Sequence, residues 1–143
     1  MTPGPEHSED CVSWERGWEV ISRLDGDGAR RVTQALEDVA PGLSHLMVAY
    51  GFGASYSRPQ LAPRDRQLVT LGILAALGAD RQIPLHVSAA LRAGLTREEI
   101  VEALTHSAVY CGFPRAINAV LAARDALADG SAHPSPPGTP GGQ

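Results

Sequence analysis

The sequence predicts an all-α fold, a compact single domain of about six to seven helices. Three observations carry that expectation. Apolar residues recur at three- and four-residue intervals through almost all of the middle of the chain. No segment alternates apolar and polar residues with the period of two that a half-buried strand requires. The breaks between periodic stretches carry helix-boundary chemistry, with Pro63 as a start, Gly78 and Gly94 as stops, and Thr96-Arg-Glu-Glu99 as a capping box.

Taken in order, residues 1–12 are polar, contain two prolines and are expected to be a disordered tail. Trp14, Trp18 and Ile21 mark one face of a first helix. The stretch 27–39 repeats the pattern with Val32, Leu36 and Val39, until Pro41–Gly42 interrupts it. Leu43, Leu46, Met47 and Tyr50 start a third helix, and GFGASYSRPQL reads as a turn-rich connection. Pro63 suits the first turn of a fourth helix that ends at Gly78, and its long apolar run predicts burial on most sides. A fifth helix spans about residues 81–93, with Pro84 tolerated only near its first turn. The sixth opens at Thr96 and carries Ile100, Leu104 and Ala108 inward. Gly112–Phe113–Pro114 then precedes a seventh helix reaching about Asp129. From Gly130, GSAHPSPPGTPGGQ cannot bury enough apolar surface to offset its ordering entropy. The expected domain is therefore 13–129, between disordered tails at 1–12 and 130–143.

A chain of 143 residues favours one domain. Its net charge is −4, and all 12 positive side chains are arginines, with no lysine. Scattered arginines on an acidic chain argue against a nucleic-acid partner and suit bidentate recognition of carboxylates. No apolar run approaches the roughly 20 residues that span a bilayer, so no membrane partner is expected. The polar, acidic start MTPGPEHSED is unlike a secretory signal, and a cytoplasmic location follows as the expectation. Cys11 and Cys111 form no C-x-x-C pair and are expected to be reduced thiols rather than zinc ligands.

Few polar residues sit where helices would carry them inward. His86 lies among apolar residues in IPLHVSAAL. His106 lies in ALTHSAVY, and a spacing of four aligns it with Glu102 and Tyr110 on one face. A histidine beside a carboxylate can be held in one tautomer and poised near neutral pH. By spacing alone each histidine is more often a satisfied structural residue than a catalyst, and His45 is read the same way. Arg58, in the connection before Pro59, is either solvated or an anion anchor. Tyr56 and Tyr110 read as packing residues with a tethered hydroxyl. There is no H-E-x-x-H and no close His/Asp/Glu cluster in the sequence, so no metal is expected. GFGAS lacks the strand-then-helix setting of a dinucleotide loop.

The ordered set of landmarks resembles the gamma-carboxymuconolactone decarboxylase family over about residues 14–128. They are the aromatic-Ser-Arg-Pro turn at Tyr56–Pro59, Arg-x-Leu-Val-Thr at Arg66–Thr70 and Leu-His-Val at Leu85–Val87. Gly-Leu-Thr-Arg-Glu-Glu-Ile, His-x-Ala-Val-Tyr and Gly-Phe-Pro-x-Ala-Ile-Asn-Ala follow in order. The resemblance implies an alkylhydroperoxidase D-like helical subunit and a homo-oligomer (trimer or hexamer) with sites near subunit contacts. It also implies decarboxylation of a small anionic or lactone-type substrate without metal or organic cofactor, the family's role in aromatic catabolism. On family-like positions, His86 and His106 become the expected catalytic pair, one donating a proton and the other polarising a carbonyl. Arg58, Tyr56, Gln82 and Tyr110 become the expected substrate-binding residues.

The peroxidase branch of the same superfamily carries C-x-x-C ahead of its histidine. Here those positions are Ala79 and Gln82, which excludes that thiol chemistry. Gln82 also stands where decarboxylase members often carry Glu, and Ala54 where an acidic residue is common. Tyr56 replaces a frequent Trp, and Cys111 a small residue. These departures keep two alternatives in play. One is a family member turned to isomerisation, dehydration or cyclisation in specialised metabolism. The other is a non-catalytic oligomeric binding module.

Overall fold

The computed structural model of the chain describes residues 6–24 and 27–130, and every regular element among them is helical. Helix α1 covers Glu6–Leu24, α2 Asp27–Glu37 and α3 Pro41–Leu46, which runs on into a wider, π-helical segment, Met47–Tyr56. Helix α4 follows at Pro63–Leu77, then a single 3₁₀ turn at Asp80–Gln82 leads into α5, Ile83–Arg92. Helix α6 is Arg97–His106, α7 is the one-turn Ala108–Cys111, and α8 is Phe113–Gly130. The expected tails fall at 1–5 and 131–143 outside the described residues. Helix α1 begins at Glu6, ahead of the expected boundary at 13. Both prolines precede that start.

The boundaries argued from local chemistry hold. Gly78 closes α4 in the left-handed conformation, φ 69°, and Ala79 N–H reaches back to the Leu74 carbonyl at 2.9 Å. Pro84 sits in the first turn of α5, where no helix hydrogen bond is lost. Thr96 and Glu99 form the reciprocal capping box. The Glu99 N–H donates to the Thr96 hydroxyl at 3.1 Å, and the Thr96 N–H to the Glu99 carboxylate at 2.9 Å.

Two apolar clusters fill the interior. The larger joins α4, α5, α6 and α8 through Leu71, Ala75, Ile83, Val87, Ile100, Leu104, Ala119 and Ala123. The smaller packs Ile21, Ala29 and Val48 under Trp14, Trp18, Met47 and Phe52. Alanines dominate the inner face of α8, so it approaches its neighbours closely.

Three expectations are corrected. The segment 51–56 is helical rather than a turn, although Gly51 and Gly53 weigh against a helix by propensity. Packing overrides propensity there. A Cβ on Gly53 would run into the Ser13 carbonyl, and one on Gly17 into the Val48 carbonyl, so α1 crosses the π-helical segment at backbone contact. Secondly, α4 is not buried on most sides. Gln67, Leu71 and Ala75 face inward while Val69, Ile73 and Leu77 are exposed. Thirdly, the buried residues of α2 and α3 are Gly28, Ala29, Thr33 and Ser44, small residues that let the helices approach. Val32 and Leu36 are half-buried, and Val39, Leu43, Leu46 and Tyr50 are exposed.

Candidate active site

His86 occupies the first turns of α5, half-buried against α4. Its Nδ1 lies 3.2 Å from Oε1 of Gln67. Gln67 is only 1% exposed and shares the inward stripe of Leu71 and Ala75. A buried primary amide must satisfy both its ends within the protein. Its Nε2 lies 3.5 Å from the Tyr56 hydroxyl, at the end of the π-helical segment. Tyr56 Oη is in turn 3.3 Å from Thr70 Oγ1, and Thr70 donates to the Arg66 carbonyl at 2.9 Å. One hydrogen-bonded chain therefore runs from α5 through α4 to the π-helical segment and back to the first turn of α4.

Arg66 frames the other side of Tyr56. Its guanidinium lies 5.8 Å from the tyrosine ring centroid, the geometry of a cation–π contact. The same group donates to the Arg58 carbonyl at 2.8 Å and to the Leu61 carbonyl at 3.1 Å. This planar fork fixes the path of the loop that carries Arg58. The Arg58 side chain is exposed, as an anion-capturing group would be. Phe52 packs on Tyr56 with ring centroids 5.2 Å apart and completes the apolar side of the ring.

The remaining expected site residues are exposed and lie outside this hydrogen-bonded chain. His106 is the last residue of α6, exposed, with its ring tilted against Tyr110 at 5.5 Å between centroids. Tyr110 is 83% exposed, on α7. Neither ring is a link in the chain from Arg66 to His86. Glu102 is exposed one turn before His106. Gln82 is exposed at the end of the 3₁₀ turn, one helical turn before His86. His45 stacks on Trp14 at 4.9 Å with nearly parallel rings, a packing role. The Cys111 thiol donates to the Ser107 carbonyl at 3.1 Å, which suits a small, inert side chain. Cys11 lies outside the residues whose side chains are described. Among the described residues, no group of three or more His, Cys, Asp or Glu could hold a metal ion, and no helix is long and apolar enough to cross a membrane.

Sequence reasoning missed Gln67, Thr70 and the anchoring role of Arg66. The signal for Gln67 was present: it stands four residues before Leu71 and eight before Ala75, a polar residue in phase with a buried stripe.

Comparison with known proteins finds one family model and several relatives. Residues 41–125 match the model of the carboxymuconolactone decarboxylase family, which spans everything from α3 into α8. Nitrosuccinic acid decarboxylase npaB of Metarhizium robertsii is 34% identical over 110 residues, 75% of this chain and 77% of the relative. The 4-carboxymuconolactone decarboxylase of Acinetobacter baylyi is 28% identical over 121 residues, 84% of this chain and 90% of that protein. An uncharacterised 15.0 kDa protein of Paracoccus denitrificans is 30% identical over 98 residues, 67% of this chain and 73% of its own length.

Proposed function

The chain belongs to the carboxymuconolactone decarboxylase family and is a carboxy-lyase-like enzyme, and from that premise we propose that it decarboxylates a small acid able to hold the electrons left by departing carbon dioxide. The names of two relatives, nitrosuccinic acid decarboxylase and 4-carboxymuconolactone decarboxylase, support that breadth. A nitro group and an unsaturated lactone carbonyl are different acceptors with one property in common. Each turns the developing carbanion into an oxygen-centred anion. A substrate with its own electron sink needs no metal or organic cofactor, and the protein's task reduces to carboxylate binding, oxyanion stabilisation and proton delivery.

The observation that carries this reading is the position of His86. A half-buried imidazole is held by a buried amide, one tyrosine away from a loop whose exposed arginine can take a carboxylate. In the proposed assignment Arg58 anchors the leaving or spectator carboxylate and Tyr56 and Gln82 border the substrate. His86 and His106 supply the acid–base and polarising groups. The exposed apolar side chains of α4, α7 and α8, among them Ile73, Val109, Phe113 and Ile117, support assembly into a homo-oligomer. His106 and Tyr110 border that surface, so subunit association would bring them into a protected setting.

The deciding experiment is carbon dioxide release by the purified protein from 4-carboxymuconolactone and from nitrosuccinic acid, with and without a chelator. Chelator-resistant release from either compound is the expected result. A folded protein that releases nothing from both would turn the reading toward isomerisation or cyclisation on the same scaffold. Turnover abolished by the chelator would overturn the cofactor-free mechanism.

A further inference from the structure

We infer that Gln67 is a positioning residue that holds His86 as the Nδ1–H tautomer, which makes Nε2 the atom through which this histidine takes up and returns a proton. The inference deepens the decarboxylase reading and, for the reaction step, rests on it.

The argument is a count of protons along one chain. The Arg66 carbonyl can only accept, so the Thr70 hydroxyl, 2.9 Å away, commits its single proton there. Thr70 Oγ1 can then only accept from the Tyr56 hydroxyl at 3.3 Å. With the phenolic proton committed to Thr70, Tyr56 Oη is left to accept from Gln67 Nε2 at 3.5 Å. The direction of that bond orients the amide and places Oε1 against His86 Nδ1 at 3.2 Å. A carbonyl oxygen has no proton to give, so Nδ1 must carry one. Flipping the amide would set its NH₂ group beside Nδ1 and draw the phenolic proton from Thr70 to the amide oxygen, so the flipped arrangement makes one hydrogen bond fewer. Gln67 is 1% exposed, so its amide has no water as an alternative partner.

A neutral imidazole has one N–H, and here it is on Nδ1. Nε2 therefore carries the lone pair. A histidine that polarises a carbonyl oxygen as a neutral donor needs the opposite tautomer, with its proton on Nε2. His86 is thereby assigned the acid–base role, and oxyanion stabilisation falls to other donors. In the reaction, the bond to the carboxylate breaks, carbon dioxide leaves and the electron pair passes to the acceptor oxygen of the substrate. The imidazolium form of His86 gives its Nε2 proton to carbon as the pair returns to form the new C–H bond. The ring relaxes to the neutral Nδ1–H form and is reprotonated at Nε2 before the next turnover. One proton is consumed for each carbon dioxide released.

The test is ¹⁵N NMR of the histidine rings in the full-length protein, at a pH where His86 is neutral. The His86 signals are identified by their loss in His86→Gln. The expected result is a protonated Nδ1 and an unprotonated Nε2 in the parent protein. Tyr56→Phe removes the acceptor that orients the amide, and the ring should shift to a mixture with a substantial Nε2–H population. Gln67→Met, which removes the acceptor while keeping the volume, should do the same. An Nε2–H ring in the parent protein would overturn the inference, and so would an Nδ1–H ring that persists in both variants. Failure to turn over any carboxylic acid, with the parent ring still Nδ1–H and responsive to both variants, would sink the decarboxylase reading and leave the positioning role standing.

Discussion

At the scale of single residues, the site combines one deeply anchored group with several exposed ones. Replacing His86 with Ala should lower kcat by about 10²–10⁴-fold, the range for removal of a general acid or base. Circular dichroism and oligomer size should be unchanged. The same substitution at His106 separates its two readings. Loss of turnover would place it in the chemistry, and full activity would make it a surface residue of α6. Arg58→Ala should raise KM for an anionic substrate more than it lowers kcat, because an anchor for an unreacting carboxylate binds ground and transition states alike. An unchanged KM would remove Arg58 from substrate binding. His86 and Tyr56 stand out in the sequence because their residue types announce chemistry, and the structure joins them through Gln67. Gln67 stands in phase with the buried stripe of Leu71 and Ala75, but its role shows only once its partners on α5 and the π-helical segment are known.

At the scale of elements, two devices set the geometry. The first is the backbone contact between α1 and the π-helical segment at Gly17 and Gly53. Gly53→Ala should destabilise the protein by about 1–3 kcal/mol, the cost of overpacking a close contact. Denaturant unfolding would measure it, and Gly42→Ala, where a methyl meets open space, is the control. The second is the start of α6. Glu99 accepts from the Thr96 N–H, and its carboxylate pairs with Arg64 of α4 at 2.7 Å. The Thr96 N–H first, and then Arg64, hold its pKa below the ordinary carboxyl value. A lowered carboxyl pKa in the folded state contributes stability that is complete above the unfolded pKa and is lost as pH falls through the folded one. Thermal unfolding followed from neutral to acidic pH should therefore show a smaller loss of Tm in Glu99→Gln than in the parent. Identical profiles would mean the pair adds nothing. Capping residues and glycine stops were readable because they act over three or four residues. The helicity of 51–56 was not, since it depends on α1 arriving from 40 residues away to meet Gly53 at Ser13.

At the scale of the whole molecule, the unusual feature is where the apolar residues went. Val69, Ile73 and Leu77 on α4 and Phe113, Ile117 and Leu121 on α8 are all exposed. The sequence pattern showed α4 as apolar all round, and a lone subunit covers only one side of it. Scattered exposed apolar residues are ordinary, but rows at helical spacing on neighbouring helices are the surface that the proposed self-association would bury. The double substitution Ile73→Glu and Ile117→Glu should reduce the size of the assembly in analytical ultracentrifugation while leaving the helical signal intact. A parent protein that sediments as a monomer would remove self-association from the account. The fold class was legible because helix periodicity survives any choice of partner. Which face each helix buries was legible only in part, because an apolar side chain left exposed looks the same in sequence as one of the core.

The wide helical turn at Met47–Tyr56 has a consequence for how this site could change over time. A π-helical segment rotates less per residue than an α-helix, so its length decides the direction in which its last residue faces. Tyr56 is that last residue, and it holds the amide that holds the histidine. Deleting one residue between Met47 and Tyr56 would let the segment tighten and swing the phenol away from Gln67. The helix would survive, and so would every residue of the site. Only the phase would be lost, and the tautomer of a histidine 30 positions downstream with it.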